Sequence, residues 1–264
     1  MAAKEIELLG QARLEGRPLA SAGELLKSAD SEVGYNIQTK LAAWLTEHGQ
    51  GALAGYKIGA TTRGMQKFLG VPGPVYGHIL ADKMHRTSET FICNPDCKPG
   101  VECEIAFRMG EDLPLSMSPF SRADVARRID AAMPAVEIVE NRYGDFSACS
   151  IALLTADDFF HKACVMGDAV TSWSDLDLPA VVGRLSIDGV WMETGLGREV
   201  FGHPLEVVVW LANKLAQRQI GLKAGQIIMT GSMTPVHWID NYPCQVTIDI
   251  AGLGTSSVNL TTRP

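Results

Sequence analysis

The character of the sequence changes near residue 53, and this change limits the folds that the chain can adopt. Up to that point apolar residues recur at helical spacing, which predicts three helices: Ala3–Glu15, Ser21–Ser28 and a third from a cap at Asp30 or Ser31 to about His48. Beyond it, short segments of alternating character dominate, without the regular strand–helix alternation of a parallel sheet. We therefore expect an α+β fold with a helical segment over 1–52 and a strand-rich domain over 53–264.

Strands and helices can be placed within the second part from local patterns. Alternation predicts strands at Ala54–Ala60, Val101–Met109, Pro134–Glu140, Ala163–Gly167, Val181–Asp188, Gln226–Thr230, Cys244–Ala251 and Ser256–Thr261. Capping and breaking residues predict helices at Thr62–Leu69, Arg122–Met133 and Pro204–Gln219. Val71–Gly77 contains two prolines and two glycines, which is typical of a tight loop.

Composition argues against several classes of function. The formal net charge of -7 and the lack of a run of five basic residues argue against nucleic acid and anionic membrane as partners. No apolar run approaches the roughly 20 residues that span a bilayer, and the start, MAAKEIELLGQARLEG, lacks the apolar core of a signal peptide. We therefore expect a cytoplasmic protein. Its six cysteines lack the spacing of a common zinc module, so buried thiols are expected.

A pair of glutamates on the strand Val101–Met109 is the first candidate for chemistry. Glu102 and Glu104 fall on one face, roughly 6.5–7 Å apart along the strand, and a hard divalent cation would turn their repulsion into ligation. Glu137 stands between apolar residues of another strand, where a carboxylate needs a partner. Three carboxylates favour Mg²⁺ or Mn²⁺, which a small 2-oxo acid can chelate. The alternative is that the pair is the solvated face of a sheet.

Two further sites carry polar side chains at strand positions. Lys57 lies within the strand Ala54–Ala60 and can neutralise a substrate carboxylate or carry a proton; the alternative is a surface lysine on an edge strand. Thr230 and Ser232 follow an apolar run and can hydrogen-bond an anionic ligand, or can form an ordinary strand-end turn.

Many ordered segments of the chain resemble one known family. These are GRPLA near residue 16, YNIQ at 35–38, YKIGATT at 56–62, MQKFLGV at 65–71, YGHIL at 76–80, VECEIAFRMGEDLP at 101–114, PAVEIVENR at 134–142, WLANKLA at 210–216 and LKAGQIIMTGS at 222–232. On these segments the chain resembles the 2-oxopent-4-enoate hydratase and 4-oxalocrotonate decarboxylase branch of the fumarylacetoacetate hydrolase superfamily.

The resemblance implies a fold, an assembly and roles for particular residues. It implies a mixed β-roll, fumarylacetoacetate hydrolase C-terminal-like, with N-terminal and flanking helices, which makes 53–264 a metal-binding catalytic domain and the protein a homo-oligomer. The roles that it implies are metal binding for Glu102, Glu104 and Glu137 and a catalytic role in the active site for Lys57. We also expect substrate binding by the loop residues Val75 and Tyr76 and by Thr230 and Ser232.

Three stretches depart from the family pattern. Val75 stands where the hydratases carry an acidic residue before the aromatic–glycine pair, and Thr234–Asn241 replaces a proline- and glycine-containing stretch. Asp157–His161 replaces a small polar stretch. His161 can have taken over acid–base catalysis with Asp157 or Asp158 orienting it, since its unperturbed pKa suits that role. The alternative is a histidine packed by the two preceding phenylalanines.

The resemblance implies a lyase of meta-cleavage aromatic degradation. Such a hydratase, dependent on Mg²⁺ or Mn²⁺, adds water to a 2-hydroxy-2,4-dienoate and yields a 4-hydroxy-2-oxo acid. The alternatives are a decarboxylase of a vinylogous 2-oxo diacid, a C–C hydrolase of a diketo acid, and a non-catalytic subunit of such an enzyme. Association with a homologous decarboxylase is a further expectation.

Overall fold

The computed structural model describes residues 2–19 and 22–263. Its helices are α1 (Ala2–Glu15), α2 (Ser31–Leu45), α3 (Arg63–Leu69), α4 (Arg122–Ala126), α5 (Ile151–Ala156) and α6 (Pro204–Gln217). Its strands are β1 (Leu53–Gly59), β2 (Val75–Leu80), β3 (Met84–Arg86), β4 (Glu89–Cys93), β5 (Pro99–Met109), β6 (Ile129–Glu140), β7 (His161–Met166), β8 (Val182–Ile187), β9 (Val190–Leu196), β10 (Ile227–Ser232), β11 (His237–Trp238), β12 (Cys244–Ile250) and β13 (Gly254–Thr262).

The strands form two mixed sheets that pack together. The larger sheet has the order β2-β1-β10-β5-β6-β7-β3, with β11 pairing with β5, and the smaller has the order β4-β13-β12-β8-β9. Parallel pairs occur between β1 and β10, β3 and β7, and β4 and β13. Strands β12 and β13 pack on β6, and Ser256 Oγ donates to Val165 O across the sheets at 2.9 Å. The expected α+β fold with a mixed β-roll is confirmed.

Strand β5 shows how the sequence pattern orients the two sheet faces. Cys103, Ile105 and Phe107 are buried in the main apolar core, as expected for alternate residues that point to one face. The intervening residues Glu102 and Glu104 therefore point to the opposite face. All six cysteines are free thiols, five of them buried, which confirms the expectation of buried thiols.

Helix α2 is tied to β2 and α5 by hydrogen bonds from a buried side chain. Gln38 of α2 is fully buried, and its Nε2 donates to Tyr76 O at 2.9 Å and to Thr155 O at 2.7 Å. Asp30 caps α2 by accepting from Glu32 N, as predicted. Ser21, the start of the predicted helix Ser21–Ser28, lies outside the described residues. The rest of that segment forms only a short 3₁₀ turn at Ala22–Glu24, and the division of the chain into two domains stays a prediction.

The predicted helix Arg122–Met133 is wrong over its second half. Ser121 caps it as expected, but α4 ends at Ala126 and β6 begins at Ile129. Residues 129–133 pair with β5, where Ile129 lies opposite Met109 and Met133 opposite Ala106. The hydrogen bonds and burial gained in the sheet outweigh the helix propensity of alanine, methionine and arginine.

The predicted loop Val71–Gly77 is wrong over its last three residues. Val75, Tyr76 and Gly77 begin β2 and pair with Gly59, Ile58 and Lys57 of β1. A close approach explains the glycine at this position, because a Cβ on Gly77 would lie 2.9 Å from Asp158 Cβ. The strand therefore starts directly after the prolines.

Candidate active site

The pairing of β5 with β6 brings three glutamates together. Glu102 lies directly opposite Glu137 in the antiparallel ladder, and Glu104 lies two residues further along the same face of β5. One carboxylate oxygen from each lies within 4.8 Å of the others. Glu104 and Glu137 are fully buried, and Glu102 is half-buried.

Each of the two fully buried carboxylates uses one oxygen within the protein and leaves the other without a partner. Glu104 Oε2 accepts from the Gly231 N–H at 2.8 Å. Glu137 Oε1 accepts from His161 Nδ1 at 2.8 Å and lies 3.3 Å from Lys57 Nζ. Glu104 Oε1 and Glu137 Oε2 are buried and lack a hydrogen-bond partner. Buried unpaired oxygens are unfavourable, and these two with Glu102 form an all-oxygen donor set that fits a hard divalent cation.

Gly231 supplies the amide that orients Glu104, and the position needs a glycine. Its φ is +99°, and a Cβ there would lie 2.6 Å from Thr61 Cγ2. The preceding residue, Thr230, is fully buried and donates its hydroxyl to Ile105 O at 2.8 Å. This turn at the end of β10 is therefore fixed against both β1 and β5.

Burial and mutual repulsion hold the three carboxyl groups in different protonation states. Burial, together with the charge of Glu137, raises the pKa of Glu102 to about 8 and the pKa of Glu104 well above its usual value. Burial would also raise the pKa of Glu137, but the Lys57 charge and the His161 hydrogen bond outweigh it and lower that pKa to about 2. Without a cation, the cluster therefore favours a proton on Glu102 and an anion on Glu137 near neutral pH.

Lys57 is a buried ammonium beside the cluster. Its Nζ donates to Phe159 O at 3.2 Å and lies 3.3 Å from Glu137 Oε1. Burial alone would lower the pKa of Lys57, but the charges of Glu137, Glu102 and Glu104 outweigh it and raise that pKa. The side chain is 3% exposed and is not the surface lysine of the alternative interpretation.

The His161 ring contacts Glu137 and neither of the predicted aspartate carboxylates; only the His161 backbone N–H reaches either residue, donating to Asp158 O at 3.1 Å. The ring is fully buried, and burial lowers its pKa despite the nearby Glu137. A carboxylate only accepts, so Nδ1 carries the hydrogen in this contact. The expectation that Asp157 or Asp158 orients His161 is wrong. Asp157 accepts instead from Arg142 and Tyr143, and Asp158 accepts from Arg13 Nη1 at 2.5 Å and from His78 N.

A cavity of about 450 Å³ lies beside Lys57 and Glu102. Ser232 lines it, as the predicted substrate-binding role requires. Most of its remaining wall is apolar and comes from α3, the end of β6, the 146–160 region and the segment after β10: Met65, Phe68, Leu69, Val139, Phe146, Phe159, Phe160, Met233, Pro235, Val236 and Trp238.

The other predicted substrate-binding residues lie away from this wall. The Tyr76 ring is buried and stacks on Tyr35 with centroids 4.3 Å apart. Val75 is buried and borders a separate cavity of about 190 Å³ that also includes Trp210. Thr230 is engaged with Ile105, as described above. The substrate-binding roles of these three residues stay predictions.

The apolar wall is the part of the site that sequence reasoning missed. Phe146 reaches it from a segment with no catalytic signature, and only the folded arrangement brings it to the site. Phe159, Phe160 and Trp238 belong to stretches that depart from the family pattern, so those departures were the available signal.

Comparison with known proteins settles the family. The family described as fumarylacetoacetate (FAA) hydrolase C-terminal matches residues 69–260. The chain belongs to this family. It is 31% identical to 2-keto-4-pentenoate hydratase 2 of Dechloromonas aromatica, over 95% of this chain and 94% of that protein. It is 32% identical to 2-hydroxyhexa-2,4-dienoate hydratase of Comamonas testosteroni, over 97% of each.

A solved structure shows the same fold. The 4-oxalocrotonate decarboxylase of Pseudomonas putida G7, complexed with magnesium and adipate, superimposes with a TM-score of 0.87 at 24% identity, over 98% of this chain and 97% of that one. Over residues 2–19 and 22–263 of the present chain, none of the helices has the length and apolar character that spanning a bilayer requires.

Proposed function

We propose that this chain is a hydratase that depends on a divalent metal, Mg²⁺ or Mn²⁺, and adds water to a 2-hydroxy-2,4-dienoate. One observation carries the proposal: three carboxylates from paired strands converge beside a buried lysine and a cavity, and two of their buried oxygens have no partner. The hydratase names of relatives about 31% identical over nearly the full length support the reaction. We also propose a cytoplasmic location and a homo-oligomer.

The reaction requires a site that moves protons and stabilises negative charge. A hydroxyl group adds to C4 of the dienoate and hydrogens add to C3 and C5, while the 2-hydroxyl loses its proton and becomes a ketone. Glu102, Glu104 and Glu137 would hold the metal, which when bound supplies a Lewis acid for the 2-oxo group and its enolate.

Lys57 and Ser232 are two of the polar residues that line the cavity and can bind an anionic substrate. The raised pKa of Lys57 keeps its ammonium protonated at neutral pH, so Nζ can pair with a carboxylate or donate a proton. The Ser232 hydroxyl can donate a hydrogen bond to the same anion.

We assign His161 to positioning Glu137. Its Nδ1–H fixes Glu137 Oε1 and leaves Oε2 free, which is how a carboxylate ligand is commonly oriented by a neighbour. The ring is not among the residues that line the cavity, so contact with the substrate has no support from its position. Its predicted acid–base role stays a prediction.

The test is turnover of 2-hydroxypenta-2,4-dienoate by protein freed of metal with EDTA and then supplied with Mg²⁺ or Mn²⁺. We expect loss of diene absorbance that depends on the metal, with 4-hydroxy-2-oxopentanoate identified by NMR. No loss with any of several dienoates would reject the hydratase. Release of carbon dioxide from a vinylogous 2-oxo diacid, without hydration of the monoacid, would assign the decarboxylase instead.

A further inference from the structure

The cavity beside Lys57 has a continuous aromatic wall. The Phe68 and Phe146 rings meet edge to face with centroids 5.9 Å apart, Phe146 meets Phe160 at 5.4 Å, and Phe160 meets Phe159 at 6.4 Å. The row ends at Phe159, whose carbonyl accepts from Lys57 Nζ. An apolar path therefore runs from the charged end of the site outwards.

Part of this wall is exposed to solvent. Phe68 is 62% exposed, Met65 44% and Trp238 41%, and all three line the same cavity. Clustered exposed apolar side chains around a concavity are typical of a surface that a ligand covers. Pockets of about 300–1,000 Å³ hold drug-sized ligands, so this cavity has room beyond a five-carbon acid.

The charges on the wall disfavour a second anionic group. Over residues 2–19 and 22–263, the only cation that lines the cavity is Lys57, and it is already paired with Glu137. The acidic residues Glu102 and Glu199 also line it. A carboxylate placed among the phenylalanines would lose water without gaining a cation, which is costly.

We propose that the aromatic wall receives an uncharged apolar substituent, alkyl or aryl, at the far end of the 2-oxo acid, and rejects a substrate with a second carboxylate there. This specificity rests on the proposed function for the placement of the acid head at Lys57 and the carboxylates. It separates the substrate of this chain from vinylogous 2-oxo diacids.

Binding of saturated 2-oxo acids to the Mn²⁺-loaded protein tests the specificity without turnover. Calorimetry should show affinity rising about fourfold per added methylene from 2-oxopentanoate to 2-oxooctanoate, since each buried methylene contributes about 0.8 kcal/mol. We expect 2-oxoadipate to bind no more tightly than 2-oxopentanoate. Tighter binding of 2-oxoadipate than of 2-oxohexanoate, equal binding of all chain lengths, or no binding of any acid overturns the proposal.

A positive charge introduced into the aromatic wall, compared with the same charge introduced elsewhere, tests whether the wall contacts the substituent. Phe68→Arg, on the exposed side of α3, should abolish the gain with chain length and strengthen 2-oxoadipate binding at least tenfold. Val190→Arg, at a similarly exposed apolar residue outside the cavity, should change neither. If Phe68→Arg behaves as Val190→Arg does, the wall does not contact the substituent. Failure of every dienoate to turn over would reject the hydratase and leave this binding order measurable.

Discussion

Glu137 lies at the centre of the charged groups of the site. Its Oε1 contacts both Lys57 and His161, while its Oε2 is buried without a partner. The type and strand position of Glu102, Glu104 and Glu137 were predictable, because alternation fixes which residues share a face. That Glu102 stands opposite Glu137 was not, because strand register is set by burial and loop geometry across the whole sheet.

Replacing Glu104 by glutamine tests the metal-ligand assignment at one residue. The amide oxygen of glutamine can still accept from Gly231, so we expect the fold to survive. One anionic ligand is lost, however, and Mn²⁺ affinity should fall by more than about 100-fold, beyond the effect typical of an outer-sphere change. Calorimetry measures this, with the exposed Asp249→Asn as control. Unchanged Mn²⁺ affinity in Glu104→Gln would contradict the assignment.

Replacing Lys57 by methionine should strengthen metal binding and slow turnover. Removing a buried positive charge beside the carboxylates favours a bound dication, so Mn²⁺ affinity should rise by at least about tenfold. Hydration should slow by about 10²–10⁴-fold, as is typical when a general acid–base group is lost. Calorimetry and the dienoate assay report the two effects, and weaker Mn²⁺ binding would show that Lys57 supports the ion in another way.

At the scale of elements, the turn between α5 and β7 links the N-terminal helix to the site. Asp158, Phe159 and Phe160 all have positive φ, a strained conformation for residues other than glycine. Arg13 of α1 holds Asp158 through a buried ion pair, and the turn then presents the Phe159 carbonyl to Lys57. Helix α1 therefore positions a catalytic candidate that it does not touch.

A double-mutant cycle tests this link. Arg13→Met leaves Asp158 as a buried carboxylate without its cation, which should cost about 3–5 kcal/mol of unfolding free energy and reduce kcat as the turn relaxes. Arg13→Met with Asp158→Asn should recover much of the stability. Denaturant unfolding and steady-state kinetics measure both, and strictly additive effects of the two substitutions would refute the coupling.

Helices and strands were predicted correctly where the signal lies within a short stretch of sequence. They were missed where pairing between distant strands determines the structure. The helix Pro204–Gln219 is observed as Pro204–Gln217, since its proline start and apolar face are local signals. The strands β2, β3, β4, β9 and β11 were not predicted, because edge or bridging strands carry little alternation of their own. The aromatic wall was missed for the same reason, since it joins residues from distant segments.

At the scale of the whole molecule, the carboxylate cluster makes stability depend on pH and metal together. The folded-state pKa values of Glu102 and Glu104 lie above the unfolded value, so folding favours their protonated forms. The Glu102 contribution is present at low pH and is lost as pH rises through about 8, and the Glu104 contribution is lost as pH rises through its own raised pKa. The lowered pKa values of His78, His161 and His203 oppose this loss, but their effect ends within about one pH unit above the unfolded histidine pKa of about 6.5.

We therefore expect the metal-free protein to lose stability between pH 6.5 and 8, and saturating Mn²⁺ to raise Tm more at pH 8 than at pH 6.5. Thermal scans in EDTA and in Mn²⁺ measure this difference. Glu102→Gln removes one of the two titrating groups and should flatten the dependence of the metal-free protein. A Tm increase from Mn²⁺ that is the same at both pH values would contradict the role of these carboxylates.

The central claim is that Glu102, Glu104 and Glu137 bind one divalent cation. The most direct measurement is an anomalous difference map, collected at the manganese absorption edge, from crystals grown in Mn²⁺ with oxalate. We predict a single strong peak in contact with oxygens of all three glutamates and of the oxalate. A map without a peak at these carboxylates, with their oxygens paired to protein groups or water alone, would contradict the account.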